Sequence, residues 1–222
     1  VLDTIKTLLD FSKKNFDKIK LKLVPEKCVE RVSLDEFDVV SDENAYDYVY
    51  EVSHLANMHN WTQNTSGKQV RSFVRSFPNY VVKHNSVKEV KKQDYLDIFN
   101  KWAQNKNIKE SVILNEYIAL NRIFKEGLED LRVVSLYSED ILVGFTVYEV
   151  ISKDYAISHF AKTDKTYHKS ISDIINWEEA KILNALDVKY FNWEQDLGIL
   201  GLRKSKQKYN PCRMLKKHII SL

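Results

Sequence analysis

Residues 132–162 constrain this chain most. They hold three runs of strand-forming residues in a row, 132–137, 141–151 and 155–162. A tight Ser138-Glu139-Asp140 turn joins the first two, so the three read as an antiparallel meander. Such a meander must cover at least one face, and helical periodicity stands on both sides of it. Helices are expected at 93–104 and 111–127, the second closed by Gly127. Another is expected at 170–186, followed by a strand at 190–194, a short helix at 199–206 and a last strand at 214–220. Antiparallel hairpins come first and βαβ-like units follow. That order predicts an α+β fold, a mixed sheet with helices on its faces.

The earlier residues are less regular. Leu2, Ile5, Leu8, Leu9 and Phe16 mark a helical stripe over 2–18. Extended pieces are expected at 20–24, 36–40 and 46–51. Val70, Phe73, Val74 and Phe77 share a face of a helix over 66–77, stopped by Pro78. A strand at 80–83 closes a first part at residues 1–84, and 85–222 form the second. No internal repeat or low-complexity linker separates them.

Composition excludes several classes. Apolar residues at 44% beside 29% charged residues suit a globular chain with a real core, not a disordered one. No apolar run approaches the roughly 20 residues that cross a bilayer. Five glycines leave little room for a phosphate loop, and Ser66-Gly67-Lys68 lacks one because Thr62 stands where its first glycine belongs. Cys28 and Cys212 form no CxxC pair and are expected as free thiols in a reducing cytoplasm. The six histidines take no metal-binding spacing, so neither a metal nor a cofactor is expected.

Net charge is +3, but it is unevenly spread. Residues 201–222 carry seven cations and no acid, leaving 27 cations against 31 acids elsewhere. A basic tail on a slightly acidic body is a candidate anion-binding surface. It adjoins the most informative segment, YFNWEQDLGILGLRKSKQKYNP at 190–211. There a strand is expected to deliver Asn192, Glu194 and Asp196 toward its carboxyl end, followed by two glycines and a basic helix. Arg203, Lys206 and Gln207 share a face of that helix. An acidic strand end beside a cationic helix suits an amine meeting a phosphate-bearing donor. The plainer alternatives are that Asp196 caps the helix and that Glu194 pairs with a lysine of the tail.

The run DLGxxGLRxxKxxYxP, from Asp196 to Pro211, resembles the signature of the phosphatidylglycerol lysyltransferase C-terminal-like family. Asp47-Tyr-Val-Tyr-Glu51, Leu55-Ala56, and Phe73 to Pro78 are similar to further family stretches, as is His159-Phe-Ala-Lys162 with Asp164-Lys165. The resemblance implies a GNAT-like acyltransferase fold in two tandem halves, the first shortened at its N-terminus. It implies transfer of an aminoacyl group from aminoacyl-tRNA to an amine or hydroxyl of a lipid or peptide. Arg203, Lys206 and Lys208 match the family's basic run and become donor-binding candidates, with Asp196 beside them. Two departures stand out. Asn60-Trp61-Thr62 and Gly67-Lys68 replace much of a basic cluster, and Ala161 stands where an acid is common.

A GNAT-type transfer needs a splayed strand pair, a nucleophile and a base. The splay is expected between 157–162 and 190–194. Glu194 or His159 would be the base, Asn192 would orient the acceptor, and Lys162 with Arg203 and Lys206 would hold negative charge. The connection 163–171 has no glycine, which disfavours wrapping the pyrophosphate of an acyl-CoA. The expected partners are therefore tRNA or a small acyl or phosphate-bearing ligand. Two classes stay open: a transferase, with acyl-CoA as the lesser donor, and a non-catalytic module that binds RNA or another anion.

Overall fold

The computed structural model describes residues 1–16, 19–31, 36–104 and 109–221. In chain order the elements begin with α1 (Leu2–Asn15), β1 (Lys20–Pro25), α2 (Glu26–Val29), β2 (Asp38–Ser41), β3 (Asp47–Glu51), α3 (Val52–Ala56) and α4 (Thr65–Ser76). Next come β4 (Val81–Ser86), α5 (Lys92–Gln104), α6 (Glu110–Glu126), β5 (Leu131–Ser138), β6 (Ile141–Ser152) and β7 (Tyr155–Thr163). The last are α7 (Ile171–Ala185), β8 (Tyr190–Asn192), α8 (Leu200–Gln207), β9 (Arg213–Leu215) and β10 (Lys217–Ser221). Among the described residues no helix is long and apolar enough to cross a membrane.

These elements form two compact units that are not consecutive in sequence. One is Val1–Val49 together with Trp193–Leu222; the other is Tyr50–Asn192. The sequence division at 84/85 falls inside β4, within the larger unit.

The larger unit is organised by the meander. β4, β5, β6 and β7 pair antiparallel in order, and β8 adds parallel to β7. Residues 142–148 of β6 are all buried because helices cover both faces of the sheet. On one face Phe145 and Val147 join Leu96, Phe99, Leu120 and Phe124 of α5 and α6. On the other, α7 packs on β5, β6 and β7 and against α3 and α4. Gly144 permits that approach: a Cβ there would lie 3.1 Å from the Ile171 side chain. α6 ends at Gly127 in the left-handed region, as its position in the sequence implies. Asn64 caps α4 by accepting from the Ser66 N–H at 2.7 Å.

In the smaller unit β10 sits between β1 and β2, both antiparallel to it. α1 lays Ile5 and Leu9 against this sheet, where they meet Phe37 and Ile220. β3 pairs antiparallel with β9 through Asp47, Tyr48 and Val49.

The structure corrects four local expectations. The strand expected over 190–194 stops at Asn192, and Glu194 beyond it turns out of the extended run with a left-handed φ of 55°. The single last strand is two, β9 and β10, interrupted at Lys216 because each pairs with different neighbours. The first helix ends at Asn15, and residues 17 and 18 of that expectation lie outside the described ones. The short helices α2 and α3 carried no periodic signal long enough to read.

Candidate functional site

In the larger unit the parallel pairing of β7 with β8 is brief. Tyr155, Ala156 and Ile157 pair with Tyr190, Phe191 and Asn192; β8 then ends while β7 runs on to Thr163. This is the splay anticipated between the two strands. His159 lies on the stretch of β7 beyond the last pair. The register with β6 steps from Val147↔Phe160 to Tyr148↔Ser158, so His159 is the extra residue of a β-bulge. It is half-buried, and its Nε2 lies 3.1 Å from the Glu149 carboxylate. A histidine held by a carboxylate is oriented to exchange a proton through its other nitrogen. Asn192, the last paired residue of β8, is buried.

Lys162 is also buried, on the face of β7 toward α5. Its ammonium pairs with the Glu116 carboxylate and sits 3.7 Å over the Trp102 ring. Neither Glu116 nor Trp102 is marked by any motif in the sequence. They show Lys162 as an anchored cation in an aromatic surround, its charge matched inside the unit.

The turn after β7 carries Asp164, a buried acid held by the Thr166 N–H at 3.0 Å and the Thr166 hydroxyl at 2.5 Å. Lys101 lies 3.5 Å away. Burial alone would raise the carboxyl, but Thr166 and Lys101 outweigh it and hold the pKa below the usual value. The turn therefore carries an ionised carboxylate paired with Lys101, and no glycine.

The other candidates lie in the smaller unit, in the loop Trp193 to Ile199 and on α8. Glu194, Leu197 and Gly198 all take positive φ, at 55°, 56° and 73°. Left-handed backbone costs an ordinary residue about 1–2 kcal/mol, so something must enforce it here. Two clamps do so. Lys206 reaches back from α8 and donates to three carbonyls, of Trp193, of Glu194 at 3.1 Å and of Gln195 at 2.7 Å. β3 adds the Tyr48 N–H to the Glu194 carbonyl at 3.2 Å, and the Tyr48 carbonyl accepts from the Trp193 N–H at 2.9 Å.

Asp196 is the second clamp. Its buried carboxylate accepts from the Tyr48 hydroxyl at 2.6 Å, from Arg203 Nε at 2.7 Å and Nη2 at 3.0 Å, and from the Gly198 N–H at 2.8 Å. Burial would raise this carboxyl; the bidentate arginine, the tyrosine and the backbone donor pull it below the ordinary range. The same carboxylate, with burial as the larger cause, pushes the Tyr48 hydroxyl up to about 12. Arg203 spends a further bond on Asn44 at 2.8 Å. Asp196 is thus no cap for α8, whose N-cap is Ile199 with no side-chain bond. It organises the loop.

Lys206 is anchored rather than displayed. Burial pushes its ammonium down to about 8, against the pull of Glu194 and Asp47. Lys206 meets Glu194 at its backbone carbonyl. Lys208 is half-buried, with its ammonium 4.5 Å over the Tyr209 ring. Tyr209 itself is buried edge-on to Trp193. The motif DLGxxGLRxxKxxYxP therefore encodes one braced loop: Asp196 with Arg203, Lys206 with three carbonyls, and Tyr209 beneath.

The sequence candidates are brought together as two groups. Glu194, Asp196, Arg203, Lys206 and Lys208 share the smaller unit; His159, Lys162 and Asn192 share the larger. Tyr48 and Asn44 were missed as members of the first group. Tyr48 lies in one of the matched stretches, yet nothing local marks a tyrosine whose partner is 148 residues away.

No curated protein matches the sequence. A conserved protein of unknown function from Bacteroides thetaiotaomicron has a similar structure, with a TM-score of 0.78 and 22% identity over 99% of this chain and 75% of that one. The C-terminal domain of a putative lysylphosphatidylglycerol synthetase from Agrobacterium fabrum gives 0.71 at 11% identity, over 99% and 72%. A tandem GNAT protein from the clavulanic acid biosynthesis pathway gives 0.51 at 7% identity, over 96% and 67%. At such identities these likenesses show the fold alone, and that fold is GNAT-like. The family described as "Phosphatidylglycerol lysyltransferase, C-terminal" matches residues 3–220, nearly the whole sequence, and the chain belongs to that family.

Proposed function

We propose that this chain is a GNAT-like aminoacyl transferase that takes its acyl group from aminoacyl-tRNA and gives it to an amine or hydroxyl of a lipid or peptide. The observation that carries the reading is the opening between β7 and β8, with the bulged His159 and its Glu149 partner on the strand that runs past it. The acceptor attacks the ester carbonyl, the new acyl bond forms, and the tRNA ribose oxygen leaves with a proton. His159 takes the acceptor's proton, and Asn192 orients the acceptor. Glu194 is the other candidate base. The tandem division at 1–84 and 85–222 and a cytoplasmic site of action belong to the same reading.

Asp164 favours this donor over acyl-CoA. Its carboxylate already accepts the Thr166 N–H in the turn after β7, a backbone donor that would otherwise be open to a pyrophosphate.

A second reading has its own support. Arg203 and Lys206 are engaged within the chain, which suits a non-catalytic module that uses the remaining cations of its tail to bind RNA or another anion.

Fluorescence anisotropy of labelled bulk tRNA at two salt concentrations, with acetyl-CoA as competitor, tests the donor. Binding that weakens steeply with salt and ignores acetyl-CoA supports the tRNA reading. Absence of tRNA binding even at low salt removes it. A transfer assay with charged tRNA then separates the classes. For a transferase, His159→Ala or Glu194→Ala abolishes turnover while tRNA binding persists. For a module, neither matters and only cation removal weakens binding.

A further inference from the structure

Between the end of α4 and the start of β4 the chain makes a tight corner. Pro78 bars the helix from continuing, and the Tyr80 N–H closes the corner on the Phe77 carbonyl at 3.2 Å. The rings of the corner are held from behind. Phe77 packs on Phe73 with ring centres 4.8 Å apart and on Tyr167 at 5.5 Å, and Phe73 meets Tyr80 edge-on at 5.7 Å. The Tyr80 hydroxyl donates to Glu178 of α7 at 2.6 Å. Phe73 is buried, whereas Phe77 and Tyr80 are only half-buried.

The turn between β5 and β6 lies beside this corner. Ser138 pairs with Ile141, so Glu139 and Asp140 make up a two-residue loop, and both take left-handed φ, at 51° and 63°. Both acids are exposed. The Tyr167 hydroxyl donates to Ser138 Oγ at 3.0 Å and lies 3.4 Å from the Glu139 carboxylate, which ties the turn to the aromatic corner. Asp140 makes no ion pair among the described residues. Phe77, Pro78 and Tyr80 of the corner, with Tyr137, Glu139 and Asp140, line one cavity of about 400 Å³. Its lining holds two carboxylates and no cation. Lys83 of β4 lies over the Tyr137 ring, 4.5 Å from its centre, and is not part of that lining.

We propose that this cavity binds a small organic ammonium ion, its hydrocarbon body against Phe77, Pro78 and Tyr80 and its charged nitrogen at Glu139 and Asp140. The volume falls in the range of about 300–1,000 Å³ that small-molecule sites occupy. Ring faces attract a cation, and two carboxylates without a cationic partner add a field of the same sense. A phosphate or carboxylate ligand would meet those acids with no cation in the lining to receive it. A neutral apolar ligand would use the rings and leave the acids idle. Ring and acid together therefore select a protonated amine. None of the lining residues belongs to the transfer site, so the inference does not rest on that reading.

Titration of the full chain with phenethylamine at neutral pH, followed by backbone amide chemical shifts, tests the proposal. Phenethyl alcohol is the probe of the same shape without the charge. The amine should give saturable shifts centred on residues 76–81 and 137–140, and the alcohol should bind about tenfold more weakly. Asp140→Asn and Glu139→Gln should each weaken amine binding about two- to fivefold, as surface ion pairs do, and added salt should weaken it as well. Asparagine suits the left-handed turn, so Asp140→Asn keeps the hairpin. Phe77→Leu keeps an apolar floor without a ring face and should cost about two- to fivefold. Glu126→Gln, at an exposed position near the end of α6, should change nothing. Unchanged thermal unfolding would show each variant folded. Equal binding of the alcohol, shifts that fall away from the cavity, or no saturable shift with the amine overturns the proposal. So does full affinity in the variant that combines Glu139→Gln with Asp140→Asn, or an equal loss with Glu126→Gln.

Discussion

Replacing Glu179 with glutamine removes a carboxyl that the fold encloses almost completely. Glu179 lies on α7 at 1% exposure, and its Oε1 has no hydrogen-bond partner among the described residues. The Thr146 hydroxyl and the Tyr148 phenol of β6 face it, and neither carries a positive charge. Burial therefore pushes its pKa from an ordinary 4.5 up to about 8. Between these values the folded chain keeps the proton and the unfolded chain releases it. The folded state binds more protons, so stability falls as pH rises through this window, by about 1.4 kcal/mol per pH unit. From pH 5 to pH 8 that amounts to about 4 kcal/mol. Glutamine keeps the shape and cannot ionise, so Glu179→Gln lacks this slope. The assay is urea unfolding of both proteins at pH 5, 6, 7 and 8, where the histidines contribute equally and cancel in the difference. At pH 5 the midpoints should nearly coincide. At pH 8 the variant should be more stable by about 4 kcal/mol, a midpoint shift of about 2 M for a slope near 2 kcal/mol per molar. Parallel stability curves across the range would show Glu179 ionised in the folded state and refute the reasoning.

Other positions give direct tests. Gly67→Ala would place a Cβ 2.2 Å from the Trp61 carbonyl oxygen, so α4 or the preceding turn must move, at about 1–3 kcal/mol by urea unfolding. Tyr48→Phe removes one donor from the buried Asp196 carboxylate and should cost about 1–2 kcal/mol. Lys206→Met strips the donor from three carbonyls; the Trp193–Leu200 loop should lose its order, seen as faster amide hydrogen exchange at Gly198 and Arg203.

Local signals were legible where they act over a few residues. The meander, the paired helices α5 and α6, and the Gly127 stop all follow from periodicity and one left-handed glycine. The residues of the braced loop were legible as a motif, but not their roles. Asp196 reads equally as a helix cap until Tyr48 and Arg203 are seen on it. Lys206 reads as a phosphate ligand until its ammonium is seen on three carbonyls. The strand over 190–194 fails for the same reason: nothing near Glu194 in the sequence announces the left-handed turn that Lys206 and Tyr48 impose.

By itself the sequence determined the order of elements, the mixed character of the sheet and the membership that the motif signals. Those rest on side-chain periods of 2 and 3.6 and on residue types at short spacing, which every local stretch carries with it. Only the tertiary structure decided which cations are anchored and which stand in solvent, and where an acid stays protonated. A charge buried beside partners 46 or 148 residues away takes its properties from desolvation and geometry, and neither exists until the chain has closed around it.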